Sequence, residues 1–332
     1  MKQITTKQIA EKCGVSRITV DRALNGRAGV SEKKRQEIID TARKMGYRPH
    51  LLAKALVKGK SKSLGIIVFD LSNLFFAQIV NAFQRIAFEN GYVTYVMLTQ
   101  KDPALEKQCI EHLLSRKVDA IVLDSVVKDP IYPDYIRNLG VPVLSILNRI
   151  ADDIPFLGYD DYRAMYDMTN YVLSKGYLKL LYVCPPLERA MHSNMDSLIR
   201  RKEGFEAALH DSAKDVEQQT LGNKQYLQFI SGMDFRKQAS TAILCTSDIY
   251  AVEIHGFLQR KGVLSPHHYG ITGFDGIPIL HEFEPRITTM SLHIEQLGQK
   301  CARMILEHLH NATALPTDTI LQHDILSGQT IV

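Results

Sequence analysis

The side chains best suited to do chemistry in this sequence are recognition groups. Ser16, Arg17, Thr19, Arg22 and Asn25 lie within one stretch of ten residues. Arg and Asn can read a guanine or an adenine edge through two parallel hydrogen bonds, and the hydroxyls reach bases or phosphates. Lys2, Lys33, Lys34 and Arg35 stand close by for phosphate contacts, which fix position without carrying sequence information. Signals for bond-making chemistry are weak by comparison. The chain has no GxSxG nucleophile elbow and no HExxH zinc helix, and its twelve histidines show no ligand spacing. Gly59-Lys60-Ser61 has the form of the end of a phosphate loop, but Lys54 occupies the place of its leading glycine. No enzymatic activity, cofactor or metal is therefore expected.

A second set of polar groups follows apolar runs: Asn73, Asp124, Asn148, Ser247 and Asp275, with Arg201 in the segment RKEGF. Carboxylates and amides can each hold two hydroxyls, and Arg201 can grip a hydroxyl, a carboxylate or a phosphate. Phe75 and Phe76 offer apolar faces to a ring, although such aromatics serve equally well in a core or a dimer interface. Single polar residues at strand ends are commonly caps or turn formers. The set carries more weight than its members because all of them would converge on one cleft.

The elements that must position these groups can be read from capping chemistry and periodicity. Thr5 and Gln8 form a capping box opening a helix to about Cys13, Gly14 breaks it, and Ser16 caps a second helix to about Asn25. Ile9, Ala10, Val15, Val20, Ala23 and Leu24 have the spacing of two short crossing helices, the pattern of a helix-turn-helix. A third helix, capped by Ser31, is stopped by Gly46. Residues 49–62 form a hinge whose AKAL segment favours helix but is too short to be stable alone. Leu56 there is either a wedge for the minor groove or an ordinary linker leucine. From residue 63 apolar runs alternate with amphipathic stretches, which predicts two parallel sheets covered by helices. Strands are expected over 64–69, 92–98, 118–123, 141–147, 178–184, 241–246 and 269–274. Helices are expected near 75–90, 104–116, 161–175, 197–210, 224–237, 248–262 and 294–310. Ligands of open α/β sheets bind beyond the carboxyl ends of the strands, here a cleft between two lobes.

Charge divides at the same place. Residues 1–62 hold 16 Lys/Arg against 5 Asp/Glu, a balance of +11, whereas the remaining chain carries −7 within an overall +4. A basic head on an acidic body points to a polyanion at the head alone. Cys13, Cys109, Cys184, Cys245 and Cys301 form no CxxC pair and read as reduced thiols. No apolar leader opens the sequence and no run of about 18 uncharged apolar residues occurs, so a cytoplasmic protein without a membrane span is expected.

These features together resemble the lactose-repressor (lactose/galactose-repressor) family of bacterial transcription regulators. The likeness runs from TTKQIAEKCGVSRITVDRALNGRAGVSEKKRQEIIDTARKMGYRP through AKAL and LGIIVFDLSNLFFAQIV to VDAIVLD, GVPVLSILNR, RKEGF, TAILCTSDIYAV and YGITGFDG. It implies a three-helix head over 1–48, a hinge helix over 49–62 and a bilobed, periplasmic-binding-protein-like α/β core. The N-lobe would span 63–158 with 291–319 returning to it, and the C-lobe 159–290 with 320–332. By the resemblance Ser16, Arg17, Ile18, Thr19, Arg22 and Asn25 fall at base or backbone contacts, Thr5 and Ser31 near phosphates, and Ala53 and Leu56 at the minor groove. Asn73, Phe75, Phe76, Asp124, Asn148, Arg201, Ser247 and Asp275 match effector contacts, and Ile294 a position closing the pocket from the N-lobe.

Departures from the family pattern are specific. Leu74 stands for a common proline, Asn148 and Gly276 for aspartates, Ser247 for an asparagine, and no Trp is present. The expected function is a ligand-responsive repressor of a carbohydrate or polyol operon. It would bind palindromic double-stranded operator DNA as a homodimer and respond to a sugar, polyol or derivative. The alternatives are a sugar-binding protein without regulatory role, or a catabolite regulator with a protein corepressor received near Arg303 and Glu307.

Overall fold

The computed structural model describes residues 4–47, 60–188, 192–223, 225–237 and 240–332. The chain divides into two compact units, Met1–Ser61 and Lys62–Val332.

The first unit contains α1 (Thr6–Cys13), α2 (Arg17–Leu24) and α3 (Glu32–Lys44). Both halves of the capping box close: Gln8 N donates to Thr5 Oγ1 at 3.4 Å, and Thr5 N donates to Gln8 Oε1 at 2.9 Å. Gly14 ends α1 at φ 60°, a left-handed conformation that glycine adopts without a Cβ clash. Ser16 then accepts from Thr19 N at 3.1 Å. Ser31 precedes α3, but its hydroxyl makes no capping bond. Ile9, Val20 and Ile38 are fully buried at the meeting point of the three helices. Burying such side chains contributes about 1.5–3 kcal/mol each, the main cohesive force in so small a core. The hinge residues Ala53 and Leu56 lie outside the described residues.

The second unit is built on two sheets, each with six strands among the described residues. The first comprises β1 (Ser63–Val68), β2 (Val93–Leu98), β3 (Ala120–Leu123), β4 (Val143–Ile146), β5 (Phe156–Tyr159) and β11 (Thr319–Leu321), in the order β11-β5-β4-β3-β1-β2. The second comprises β6 (Lys179–Val183), β7 (Glu217–Leu221), β8 (Thr241–Cys245), β9 (Gly270–Asp275), β10 (Thr288–Ser291) and β12 (Asp324–Leu326), in the order β12-β10-β9-β8-β6-β7. The central strands are buried apolar runs, as parallel strands covered on both faces must be. The sheets are parallel as expected, apart from β12 at the edge of the second, which pairs antiparallel to β10.

Helices α4 (Leu74–Glu89), α5 (Pro103–Ser115), α6 (Tyr132–Arg137) and α11 (Ile294–Asn311) belong to the first lobe. Helices α7 (Asp161–Ser174), α8 (Asp196–Asp211), α9 (Tyr226–Ser231) and α10 (Asp248–Arg260) belong to the second. Helices α7 and α8 touch at Gly204, where a Cβ would stand 2.1 Å from the Tyr162 carbonyl oxygen. The helix expected over 224–237 is only α9 followed by a 3-10 turn, Phe235–Lys237, because the chain turns at Gly232. The lobes exchange chain three times, between β5 and α7, between β10 and α11, and between β11 and β12. Tyr159 and Ile320–Leu321 therefore sit in the first sheet, and Ser291 in the second, each a short way from the expected boundaries. Strands of three or four residues carry too little periodicity to place such crossings. Among the described residues, no helix is long and apolar enough to cross a membrane.

Candidate functional site

A cavity of about 460 Å³ lies between the two lobes, within the range of about 300–1,000 Å³ usual for small-molecule sites. Asn73, Phe75, Phe76, Asp124, Asn148, Arg201, Ser247 and Asp275 all line it. Their convergence follows from strand direction, because β1, β3, β4, β8 and β9 all end at the cleft. Asn73 caps α4 by accepting from Phe75 N at 3.0 Å, which presents Phe75 and Phe76 as an edge-to-face pair with ring centroids 5.2 Å apart. Asp124 follows β3 directly and Asp275 ends β9, where its φ of 122° holds a strained backbone. Gly276 follows at φ 76°, and a Cβ there would lie 2.9 Å from Ser291 Cα. No second aspartate can stand at that position without moving the backbone.

Ile294 departs from expectation. It opens α11 with its side chain in the apolar core, 3% exposed, and is not among the cavity-lining residues. An isoleucine at the first turn of a helix packed along α4 is drawn into that contact rather than toward a polar cleft.

The cavity's buried cation is Arg201, on α8. Its Nε donates to Asp161 Oδ1 at 2.7 Å, its Nη1 donates to the Thr246 carbonyl at 2.6 Å, and Asp275 Oδ1 lies 3.7 Å away. The guanidinium also stands 3.8 Å over the Phe274 ring. Burial acts to lower the Arg201 pKa, but the two carboxylates outweigh it and the net shift is upward. Burial raises the pKa of Asp161 and Asp275 despite the nearby guanidinium. Ser247 caps α10 and donates to Asp275 Oδ2 at 3.0 Å.

Opposite, Asn148 bridges the lobes. Its Nδ2 donates to Asp124 Oδ1 at 2.9 Å, while its Oδ1 accepts from Ser197 Oγ at 3.2 Å and Ser197 N at 3.3 Å. Asn194 adds two further bonds across the cleft, N to the Val126 carbonyl and Nδ2 to the Arg149 carbonyl, both at 2.9 Å. The Val126 segment is fixed in turn by the buried Glu106, which accepts from Ser125 Oγ at 2.7 Å, Val126 N at 2.6 Å and Tyr132 Oη. Burial pushes Glu106 above the usual carboxylate range, and Asp124 well above it, with Glu106 adding to the second shift.

Gln100, Lys101, Asp161, Asn194 and Ser197 also line the cavity and were not anticipated. They come from loops and helix starts, where no apolar run marks a strand end. Asp161 did carry a signal, since an acidic pair at the head of a helix near a crossing is a ready partner for Arg201.

In the head, α2 exposes Ser16, Arg17, Ile18 and Arg22, with Ile18 67% exposed, while Val20 and Ala23 face inward. Thr5 and Ser31 are exposed, and Thr19 is half-buried. Asn25 is already engaged, its Nδ2 donating to Asp21 O and Oδ1, each at 2.8 Å. Lys34 and Arg35, expected at phosphates, are tied within the head. Lys34 Nζ donates to the Cys13 carbonyl at 2.9 Å and Arg35 Nη2 to the Arg27 carbonyl at 2.9 Å.

Residues 61–328 match the periplasmic binding proteins and sugar binding domain of the LacI family, and residues 5–50 match the bacterial regulatory proteins of the lacI family. The transcriptional regulator RegA of Clostridium saccharobutylicum is 24% identical, covering 98% of each chain. The lac repressor dimer bound to operator and the anti-inducer ONPF superposes with a TM-score of 0.85 at 20% identity over the whole of both chains. A periplasmic binding protein/LacI regulator from Alkaliphilus metalliredigens, complexed with D-xylulofuranose, superposes with a TM-score of 0.68 at 22% identity, covering 82% of this chain and 99% of that one. With an N-terminal helix-turn-helix and a bilobed ligand-binding core both matched along nearly its full length, the chain belongs to the LacI family of bacterial regulatory proteins.

Proposed function

We propose that this protein is a dimeric repressor that reads a two-fold operator with α2 of each head and is switched by a sugar, polyol or related metabolite in the cleft. The observation that carries this reading is α2 itself. A helix capped by Ser16 buries only Val20 and Ala23 fully and leaves Arg17, Ile18 and Arg22 on the outer face. Arginines presented this way suit the major groove, and the exposed Ile18 suits a thymine methyl. Dimerisation draws support from the edge of the first sheet, where β2 exposes Val93 and Val96 beside Phe88, itself 70% exposed. An open apolar edge of this kind favours coverage by a second copy.

Switching follows from the two-lobed cleft. An effector that prefers one arrangement of the lobes shifts the population toward it, and the linked heads respond. The test is selection of preferred sites from random duplexes by the full-length protein. The expected result is a palindromic site bound at least about a thousandfold more tightly than random DNA. Affinity within a few-fold of random DNA for the best site recovered would overturn the regulator reading.

A further inference from the structure

We propose that the ligand of this cleft is an acid, a polyhydroxy compound whose carboxylate or phosphate binds the ammonium of Lys101. This rests on the reading of the cleft as the effector site and narrows its ligand class.

The first observation is a cation without a counterion. The charged residues lining the cavity are Lys101, Arg201, Asp124, Asp161 and Asp275. Arg201 stands between Asp161 and Asp275, so those three groups answer one another. Lys101 joins no ion pair among the described residues, and its ammonium lies 5.8 Å from the ring centre of Phe69, itself a lining residue. Asp70 and Asp102, on the loops after β1 and β2, are engaged by backbone instead. Asp70 Oδ1 accepts from Asn73 N at 3.0 Å and Asp102 Oδ1 from Ala104 N at 2.8 Å.

The second observation is the turn that puts Lys101 there. Gln100 and Lys101 are consecutive left-handed residues, at φ 51° and 64°, and both line the cavity. Residues other than glycine rarely adopt that conformation, and such outliers gather at ligand clamps. The turn is tied down along its length. Gln100 N donates to Phe69 O at 2.9 Å, Lys101 N to Oγ1 of the buried Thr99 at 3.3 Å, and Asp102 N to Thr99 O at 2.8 Å. A lysine that merely faced solvent would need no such turn.

The third observation is that this side of the cavity offers donors. Asn73 Oδ1 is taken by Phe75 N, which leaves its Nδ2 without a partner among the described residues. Asp124 is fully buried and its Oδ2 has no hydrogen-bond partner. Burial lifts its pKa well above the usual carboxylate range, so the carboxyl can hold a proton and donate from that oxygen. The charged oxygens of a carboxylate or phosphate accept, and they suit an ammonium, an amide N–H and an acid O–H alike. The bond to the ammonium is charge-assisted and is the strongest of the three kinds. Lys101 is exposed at the rim, so it gives up little hydration before its partner arrives.

The experiment is calorimetry on the full-length protein. Glucose, ribose and their alditols are set against the matching aldonates, uronates and terminal phosphate esters. At least one acid should bind about tenfold or more tightly than its neutral parent, the worth of one charge-assisted hydrogen bond. Preference for the aldonates or uronates assigns a carboxylate, and preference for the esters a phosphate. Lys101→Met should abolish the preference without weakening the neutral parent, and Lys101→Arg should restore most of it. With no ion pair to lose, Lys101→Met should melt at the wild-type temperature. A panel in which no acid outbinds its parent overturns the proposal, as does an acid preference that survives in Lys101→Met. The effector reading fails separately: an acid held through Lys101 that leaves operator affinity unmoved keeps this assignment and sinks that reading.

Discussion

Replacing Arg201 with methionine keeps an unbranched side chain but removes the cation that Asp161 and Asp275 share. Arg201 is 12% exposed and each carboxylate 6%, so little solvent is at hand to screen what remains. At an effective dielectric near 20, two unit charges about 4 Å apart attract by about 4 kcal/mol before desolvation is counted. Deleting one partner of a buried ionic cluster costs about 3–5 kcal/mol, because the other partners stay buried and unpaired. For a domain of this size about 2–4 °C of melting temperature is lost per kcal/mol, so Arg201→Met should melt about 6–20 °C below wild type at neutral pH.

The pH dependence has a definite sign. Burial already raises both carboxyl pKa values with Arg201 present, and its removal raises them further. A folded-state pKa above the unfolded value means the native protein holds the proton more tightly. The penalty is then complete above the folded pKa and fades as pH falls toward the ordinary carboxylate range. Calorimetry of the full-length variant should therefore show a deficit that narrows on acidification. Adding Asp161→Asn should recover about 0.5–3 kcal/mol through direct coupling. A variant that melts with wild type at neutral pH, or whose deficit widens as pH falls, refutes the account of this cluster.

Other outcomes follow from single contacts. Gly204→Ala would press a Cβ against the Tyr162 carbonyl, and a loss of about 1–3 kcal/mol is expected in urea unfolding followed by circular dichroism. Ser16→Ala removes the hydroxyl that accepts from Thr19 N, which should lower protection of the α2 amides in hydrogen exchange by about 1 kcal/mol. Arg22→Ala should cost about 1–3 kcal/mol on the selected operator and far less on random DNA if the side chain reads a base. Equal losses on both would assign it to phosphate.

Much of this architecture is legible in the sequence where local chemistry is strong. Thr5, Gln8, Gly14 and Ser16 mark the boundaries of α1 and α2 because each supplies a hydrogen bond or a dihedral that few other residues can. Central strands such as β3 and β8 announce themselves as short buried apolar runs. The edge strand β7, Glu217–Leu221, is polar and mostly exposed, and its place depends on pairing with β6 rather than on its own composition. The cleft divides the same way. Asp124, Asn148 and Asp275 are marked by the strands they follow, whereas Asn194 and Ser197 reach the cavity only because the lobes meet there. Ile294 shows the opposite error, a position carried over by likeness whose side chain the core claims.

The bonds of Lys34 and Arg35 bear on how the head responds to ionic strength. Each phosphate neutralised by a protein cation releases counterions and steepens the fall of log affinity with log salt by about 0.9. Lys34 closes the end of α1 through the Cys13 carbonyl, and Arg35, 16% exposed, braces the loop after α2 through the Ala23 and Arg27 carbonyls. Two cations spent as internal staples release no counterions, so the salt slope should be shallower by about 2 than a count of basic residues suggests. Exchanging Arg35 for methionine would then loosen the head while leaving that slope nearly as it was.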